Sequence, residues 1–401
     1  MTSHSPNELP PEDVARADVY AAYTAPGAPV FAAAIVDDRH ATRQASARPH
    51  PHFGWAVLWM FGFWTVQIAV GIAVVIVAMM FAFAQGQNFS EHMESAMASA
   101  SAVMIPIGTL ASVVTAIVVA YIFYRRQFGV RLALRGMSWQ QWLASLLAVL
   151  PLAVIASEVT NCAGELLPHF NAEVLGEFAA SPWPLVFIAA CLFPAIGEEI
   201  FCRGFLGRGL VAHHGAVGGV LLASLLFGIM HIDPVQSVGA FVLGLGLHFI
   251  YLTTRSLLAP MLVHMLNNAF AFWVMLNYQW CPLPGLSPLP DDTQVHTPPS
   301  VLIAAIAASA ALLGLLYQTR TRWLLTTCDS QSGEPMAWSP GYVTAEQPPP
   351  YVACRVATSR PKLWLAAIVV LSYLALLAAL AGESRAVSIP SGSSDQHLSR
   401  Q

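Results

Sequence analysis

Nine runs of apolar residues, each about twenty long or more, dominate this 401-residue chain. Twenty residues of α-helix rise about 30 Å, the thickness of a bilayer's hydrocarbon core. In that medium every backbone N–H and C=O has to be paired within the protein, so a run of this length is read as a helix. The runs lie near 54–84, 100–124, 140–157, 183–207, 215–231, 236–254, 257–278, 299–317 and 362–381. The third and fifth are short for a full crossing, which leaves a broken or partly inserted helix open for each. Composition agrees with the runs: 10% of residues are charged and mean hydropathy is +0.60, against roughly 25% charged residues in soluble domains. The expected fold class is all-α, a polytopic integral membrane helical bundle of about nine transmembrane helices.

The basic residues give that bundle a direction, because Lys and Arg near helix ends stay on the cytoplasmic side. Arg39, Arg43 and Arg48 precede the first run, and Arg125, Arg126, Arg131 and Arg135 fill the second connection. Arg208 follows the fourth run, Arg255 the sixth, and Arg320 and Arg322 the eighth. The alternate connections, 85–99, 158–182, 232–235 and 279–298, contain no Lys or Arg. This alternation predicts a cytoplasmic N-terminus and a C-terminus outside. A net charge of −4 without a basic stripe speaks against nucleic acid as a partner, and the lipid bilayer is the partner that composition implies.

The chain divides accordingly. Residues 1–52, rich in Pro and Ala with mixed charge and no signal-like apolar segment, are read as a disordered cytoplasmic tail. Residues 53–182 hold the N-terminal transmembrane helices, 183–278 a helical core, and 279–317 an outside loop with the eighth helix. Residues 318–361, with "SPGYVTAEQPPPYV", are read as a cytoplasmic Pro-containing linker with an extended polyproline stretch. Residues 362–401 form the ninth helix and a C-terminal tail. Six cysteines show no metal-ligand spacing. Cys162 and Cys281, in outside connections, are a weak disulfide pair, and Cys191 and Cys202 are read as packing residues.

Within the fourth run, "AIGEEIFCRG" places Glu198, Glu199 and Arg203 inside one apolar helix. Each charge near mid-membrane costs about 2.5–3.5 kcal/mol on insertion scales, so a residue kept there faces a partner, a cavity or a reaction. Glu199 and Arg203 are four apart and share a helix face, as a structural pair would. Glu198 is displaced from Arg203 by five positions, roughly 140° around the helix, and is left over. A desolvated carboxylate becomes a better base. Partners for it are Phe227 and His231 in "FGIMH" and His264 and Asn268 in "HMLNN", each pair four apart on one helix face. Depths counted from the connections overlap only loosely, and helix tilt or a sunken hairpin would have to close the gap. His248 is read instead as bonding to a neighbouring helix, and Asp233 with Pro234 as a turn.

These motifs resemble those of the CPBP family of intramembrane proteases, which includes the type II CAAX prenyl endopeptidases and bacterial relatives linked to bacteriocin processing and self-immunity. The family's two Glu followed after three residues by Arg reads Glu198-Glu199-Ile-Phe-Cys-Arg203; its Phe-x-x-x-His reads Phe227 to His231, and its His-x-x-x-Asn reads His264 to Asn268. The resemblance covers about residues 183–275. It departs at Arg255, a place that is commonly Gly in the family.

The resemblance implies an intramembrane endopeptidase that cleaves a membrane-associated protein or peptide, in a bacterial cell (inner) membrane. It implies that Glu198 activates water with His231 assisting, that His264 and Asn268 stabilise the oxyanion, and that Glu199, Arg203 and Phe227 support them. His231 and His264 also suit Zn²⁺ together with the Glu, yet neither sits in an HExxH pattern. Zn²⁺ and a purely Glu-activated water therefore stay open. Two other classes remain: a non-catalytic immunity or scaffold protein retaining the fold, and a transporter, which the lack of an internal repeat disfavours.

Overall fold

A computed structural model describes residues 42–43, 48–84, 89–168, 172–277, 282–283, 285–286, 296–328 and 335–386. Most of the N-terminal tail, Cys281 and the end of the C-terminal tail, on which expectations were placed, lie outside the described residues. Among those described, eight helical stretches are long and apolar enough to cross a membrane. The first three are α1 (Phe53–Ala84), α2 (Phe89–Tyr124) and α3 (Trp139–Gly164).

The next stretch, Trp183–Ile229, is 47 residues long and would measure about 70 Å if straight, more than twice a bilayer core. It turns back instead. Gly215 has φ 74° and ψ 179°, a backbone conformation essentially confined to glycine. Beyond it, a Cβ on Gly219 would lie 2.3 Å from Cα of Val211. On a straight helix those residues would be about 12 Å apart along the axis. The stretch is therefore a hairpin of α4 (183–214) and α5 (216–229), the fourth and fifth expected spans. Then follow α6 (Pro234–Thr254), α7 (Leu258–Asn277), α8 (Pro299–Gln318) and α9 (Leu363–Ala386).

The third span departs from its expected length. α3 runs 26 residues, a full crossing, because the polar groups that ended its apolar run are bonded at its end. Ser157 Oγ and Asn161 Nδ2 donate to the Gly285 carbonyl at 2.6 and 2.8 Å, and Glu158 Oε2 accepts from Thr297 N at 2.6 Å. At its start, Ser138 and Gln141 form a reciprocal capping box, which satisfies two of the orphan N–H groups of the first turn.

Local chemistry also sets the junction between α6 and α7. Asp233 caps α6 by accepting from Gln236 N at 2.9 Å. Arg255 ends α6 with φ 49° and ψ 40°, the left-handed region that costs a non-glycine residue about 1–2 kcal/mol. That conformation is the physical reason for a glycine there. Arg135 offsets the strain by donating from Nε to the Arg255 carbonyl at 2.8 Å and from Nη2 to the Thr254 carbonyl at 2.7 Å. Burial and the neighbouring Arg255 lower the Arg135 pKa to about 10, so it stays cationic near neutral pH.

The connections segregate to two ends. At one, Arg131 and Arg208 both bind Glu346, His213 bonds to the Pro49 carbonyl, and Leu257 N and Thr321 N donate to the Ala133 and Thr253 carbonyls. At the other, Ser157, Glu158 and Asn161 bond to Gly285 and Thr297 as above, and Ser300 Oγ donates to Glu383 near the end of α9. We call these the Arg-bearing and Arg-free ends after the connections between helices, which lack Lys and Arg at the second; Arg385, in the last turn of α9, is an arginine at that end.

The segment 318–361 differs from the extended linker expected of it. It carries β2 (Arg322–Cys328), β3 (Pro335–Ser339) and β4 (Cys354–Ala357), which with β1 (Thr42–Arg43) form a sheet in the order β1-β3-β2-β4. Glu346 ties it to the bundle: the side chain is 2% exposed, and Tyr342 Oη donates to it at 2.9 Å.

α4, α5 and α6 form the centre, with Phe201, Phe205, Leu206, Leu247 and Ile250 fully buried. α1 and α9 lie outside and display apolar side chains such as Phe83 (85% exposed) and Leu371 (67%). Such a surface suits lipid rather than water.

Candidate active site

The depths of the polar residues follow from one contact. A Cβ on Gly204 of α4 would lie 3.6 Å from Cδ2 of Leu257, just before α7, which puts these two residues at one level. Six residues from Gly204 toward the Arg-free end is Glu198, and seven from Leu257 is His264, about 9 and 10 Å higher. The hairpin continues eleven residues past Gly204, about 16 Å, before turning at Gly215. Sixteen residues of return, about 24 Å, then leave His231 about 8 Å above the reference level. The depths agree because the hairpin reaches well past the start of α7.

The side chains converge accordingly. Glu198 Oε2 lies 3.8 Å from His264 Nε2 and 4.0 Å from His231 Nε2. Glu199, fully buried, accepts from Arg203 Nη1 at 2.6 Å through Oε1. The same oxygen accepts from His264 Nδ1 at 2.8 Å. Arg203 Nη2 donates to the Gly244 carbonyl at 3.3 Å, and its guanidinium lies 4.1 Å from the centre of the Phe227 ring. Phe227 also presents its ring to His231 and His264 in edge-on contacts. It thus packs against the Arg203 guanidinium and both imidazoles at once.

Two hydrogen bonds define the tautomers. His231 Nδ1–H donates to the Phe227 carbonyl at 2.9 Å, and His264 Nδ1–H donates to the Glu199 carboxylate, since neither acceptor has a proton to give. In each neutral ring, Nε2 then carries a lone pair toward Glu198. Glu198 Oε2 is buried without a direct hydrogen bond, and its separations from the two Nε2 atoms are those a bridging water spans. By type the donors suit Zn²⁺, two Nε2 lone pairs and a carboxylate oxygen with a second carboxylate orienting His264 from behind, but among the described residues the set whose ligand atoms all gather within 4.8 Å of one another is Glu158, Cys162 and His296.

α4 contributes a further local feature. Phe187–Leu192 and Ile200–Gly207 are wide, π-type turns, a form frequent at functional sites. The Ala190 carbonyl in the first accepts from Asn268 Nδ2 at 3.1 Å. Asn268 lines the same cavity as Glu198, Phe227, His231 and His264, with a volume of about 500 Å³. All seven residues singled out in the sequence thus lie in or directly behind one site. The link between Glu199 and His264 was missed; the two are 65 positions apart, and only their presence on apolar helices marked them.

Other expectations sort differently. His248 is buried against Gly207, whose Cβ would meet it at 2.4 Å, and both its nitrogens lack hydrogen-bond partners. The interhelical bond expected of it is not formed, because the facing helix presents a glycine. Cys191 and Cys202 are buried free thiols. Glu158, Cys162 and His296 bring ligand atoms within 4.8 Å of one another at the Arg-free end. His296 there already bonds to Glu158 and Glu165 at 2.8 and 2.9 Å.

The molecule is therefore a polytopic helical membrane protein with a carboxylate and two imidazoles gathered at depth. Residues 180–270 match the family model described as type II CAAX prenyl endopeptidase Rce1-like, less than a quarter of the chain. No curated protein and no solved structure matches the chain.

Proposed function

We propose that this protein is an intramembrane endopeptidase, with Glu198 as the base that activates water. The observation that carries this reading is the convergence of Glu198 Oε2 with His231 Nε2 and His264 Nε2 at 4.0 and 3.8 Å at the floor of an apolar cavity; the family match at 180–270 agrees with it. A water between these atoms gives a proton to Glu198 as its oxygen bonds to the substrate carbonyl carbon. Negative charge then develops on the carbonyl oxygen, and the remaining N–H of the Asn268 amide serves it, while His264 Nε2 accepts a hydrogen bond from the second hydrogen of the attacking water. Glu198 returns the proton to the departing amine as the C–N bond breaks. Glu199 orients His264, Arg203 neutralises Glu199, and Phe227 excludes water.

In a metal-dependent version His231 Nε2, His264 Nε2 and Glu198 Oε2 would hold Zn²⁺, which would supply Lewis acidity. The Arg-bearing end is assigned to the cytoplasm by the distribution of basic residues, with the chain ending outside.

The test compares membrane proteomes of cells making wild type, Glu198→Gln and His264→Ala. New peptide termini near membrane segments are expected with wild type alone, and purified protein with and without chelator reads metal dependence. Identical termini in all three would sink the reading in favour of a non-catalytic membrane protein.

A further inference from the structure

The site's cavity has a direction. Its lining runs from Ala153 to Thr160 on α3, from Gln236 to Leu243 on α6 and from His264 to Met275 on α7. In each helix these are the residues toward the Arg-free end. Leu175 and Leu286, in the Arg-free connections, complete the rim, and the lining on α4 goes no deeper than Glu198. Among the described residues, none of the lining comes from an Arg-bearing connection.

The opposite side is closed. Beneath Glu198 lie the Glu199–Arg203 pair, 0% and 1% exposed, and then a layer of Phe201, Phe205, Leu206, Leu132 and Leu257, each buried to 1% or less. Below that layer, Glu346 binds Arg131 and Arg208 and holds the sheet segment across the end of the bundle. A polypeptide has no route through this packing without unfolding it.

From these features we infer that the site takes its substrate from the Arg-free, extracytoplasmic side, as an extended polypeptide stretch presented on that face of the membrane. The inference rests on the endopeptidase reading for the chemistry and on the basic-residue distribution for the side. Glu198 is fifteen residues from the start of α4 at Trp183, about 22 Å below the Arg-free end at helical rise. An extended chain covers about 3.3 Å per residue, so roughly seven residues reach from the mouth to the carboxylate. Ser157, Thr160 and Gln236 line the outer part of the cavity; the first two donate their hydroxyl hydrogens to the Gly285 and Ala156 carbonyls, which leaves their oxygens to accept from the backbone of such a stretch. A segment confined to the cytoplasmic face does not meet the catalytic groups.

Accessibility to a small, membrane-impermeant, cationic methanethiosulfonate tests this without using catalysis. Ala240→Cys and Ala153→Cys, both in the cavity wall, are made in a background lacking Cys162, Cys281, Cys328 and Cys354. Separate variants retaining only Cys162 or only Cys354 report the two ends. Reagent added to intact cells is expected to modify Cys162 and both cavity cysteines, and reagent added to inside-out vesicles Cys354 alone. Modification of the cavity cysteines from the Cys354 side, from both sides or from neither would overturn the inference, as would labelling of Cys162 from the cytoplasm. A Glu198→Gln version should label identically. One-sided labelling without any cleavage would leave the access route standing and remove the endopeptidase reading; cleavage with labelling from the cytoplasm would do the reverse.

Discussion

Removing the Arg203 charge tests the buried electrostatics most directly. Arg203 is 1% exposed and holds Glu199, 0% exposed, at 2.6 Å. Arg203→Met keeps most of the side-chain length but leaves the Glu199 carboxylate in a dry site with His264 as its remaining partner. Breaking a buried pair from one side destabilises by about 3–5 kcal/mol, and the lost contact with the Phe227 ring falls within that range. Removing both charges in Glu199→Leu/Arg203→Met takes away the uncompensated carboxylate and leaves His264 Nδ1–H without its acceptor, at about 1–3 kcal/mol. The double variant should therefore be more stable than Arg203→Met alone, although it loses the group that orients His264. Reversible denaturant unfolding in detergent micelles, followed by tryptophan fluorescence, measures all three proteins. Wild-type stability in Arg203→Met, or a double variant less stable than that single one, would refute the reasoning.

Gly215→Ala places a side chain at φ 74°, ψ 179° and should cost about 1–3 kcal/mol, read as a lower unfolding midpoint in the same assay. Glu346→Gln removes the acceptor charge shared by Arg131 and Arg208; a loss of about 3–5 kcal/mol in that contact should make the 318–361 segment measurably more sensitive to limited proteolysis, with the transmembrane helices intact. His296 has its pKa raised above 6.5 by hydrogen bonds to Glu165 and then Glu158. Its stabilisation is complete below pH 6.5 and is lost as pH rises through the folded-state pKa, so the thermal midpoint should fall over that interval and His296→Gln should flatten the fall.

The helices and the two ends of the bundle were legible in the sequence because lipid imposes strong local demands. A run of about twenty apolar residues and a connection without Lys or Arg each announce themselves without knowledge of any contact. The division between Glu199 and Glu198 was legible for a similar reason: helical geometry alone puts Arg203 on the face of the first carboxylate and away from the second. Lengths at the interface were less legible, as α3 shows, since its last turns depend on Gly285 and Thr297 more than 120 positions away.

Only the tertiary structure decided the level at which the polar groups meet. Counting residues from connections assumes that all connections lie at one depth, whereas the hairpin at Gly215 reaches about 16 Å beyond the start of α7. Packing alone sets that offset, through the contact of Gly204 with Leu257. The bond from His264 to Glu199 and the closure of the Arg-bearing end by Glu346 are likewise long-range contacts that periodicity does not encode. A sequence pattern specifies which residues share a helix face; which face meets which, and at what height, is settled by how the helices pack.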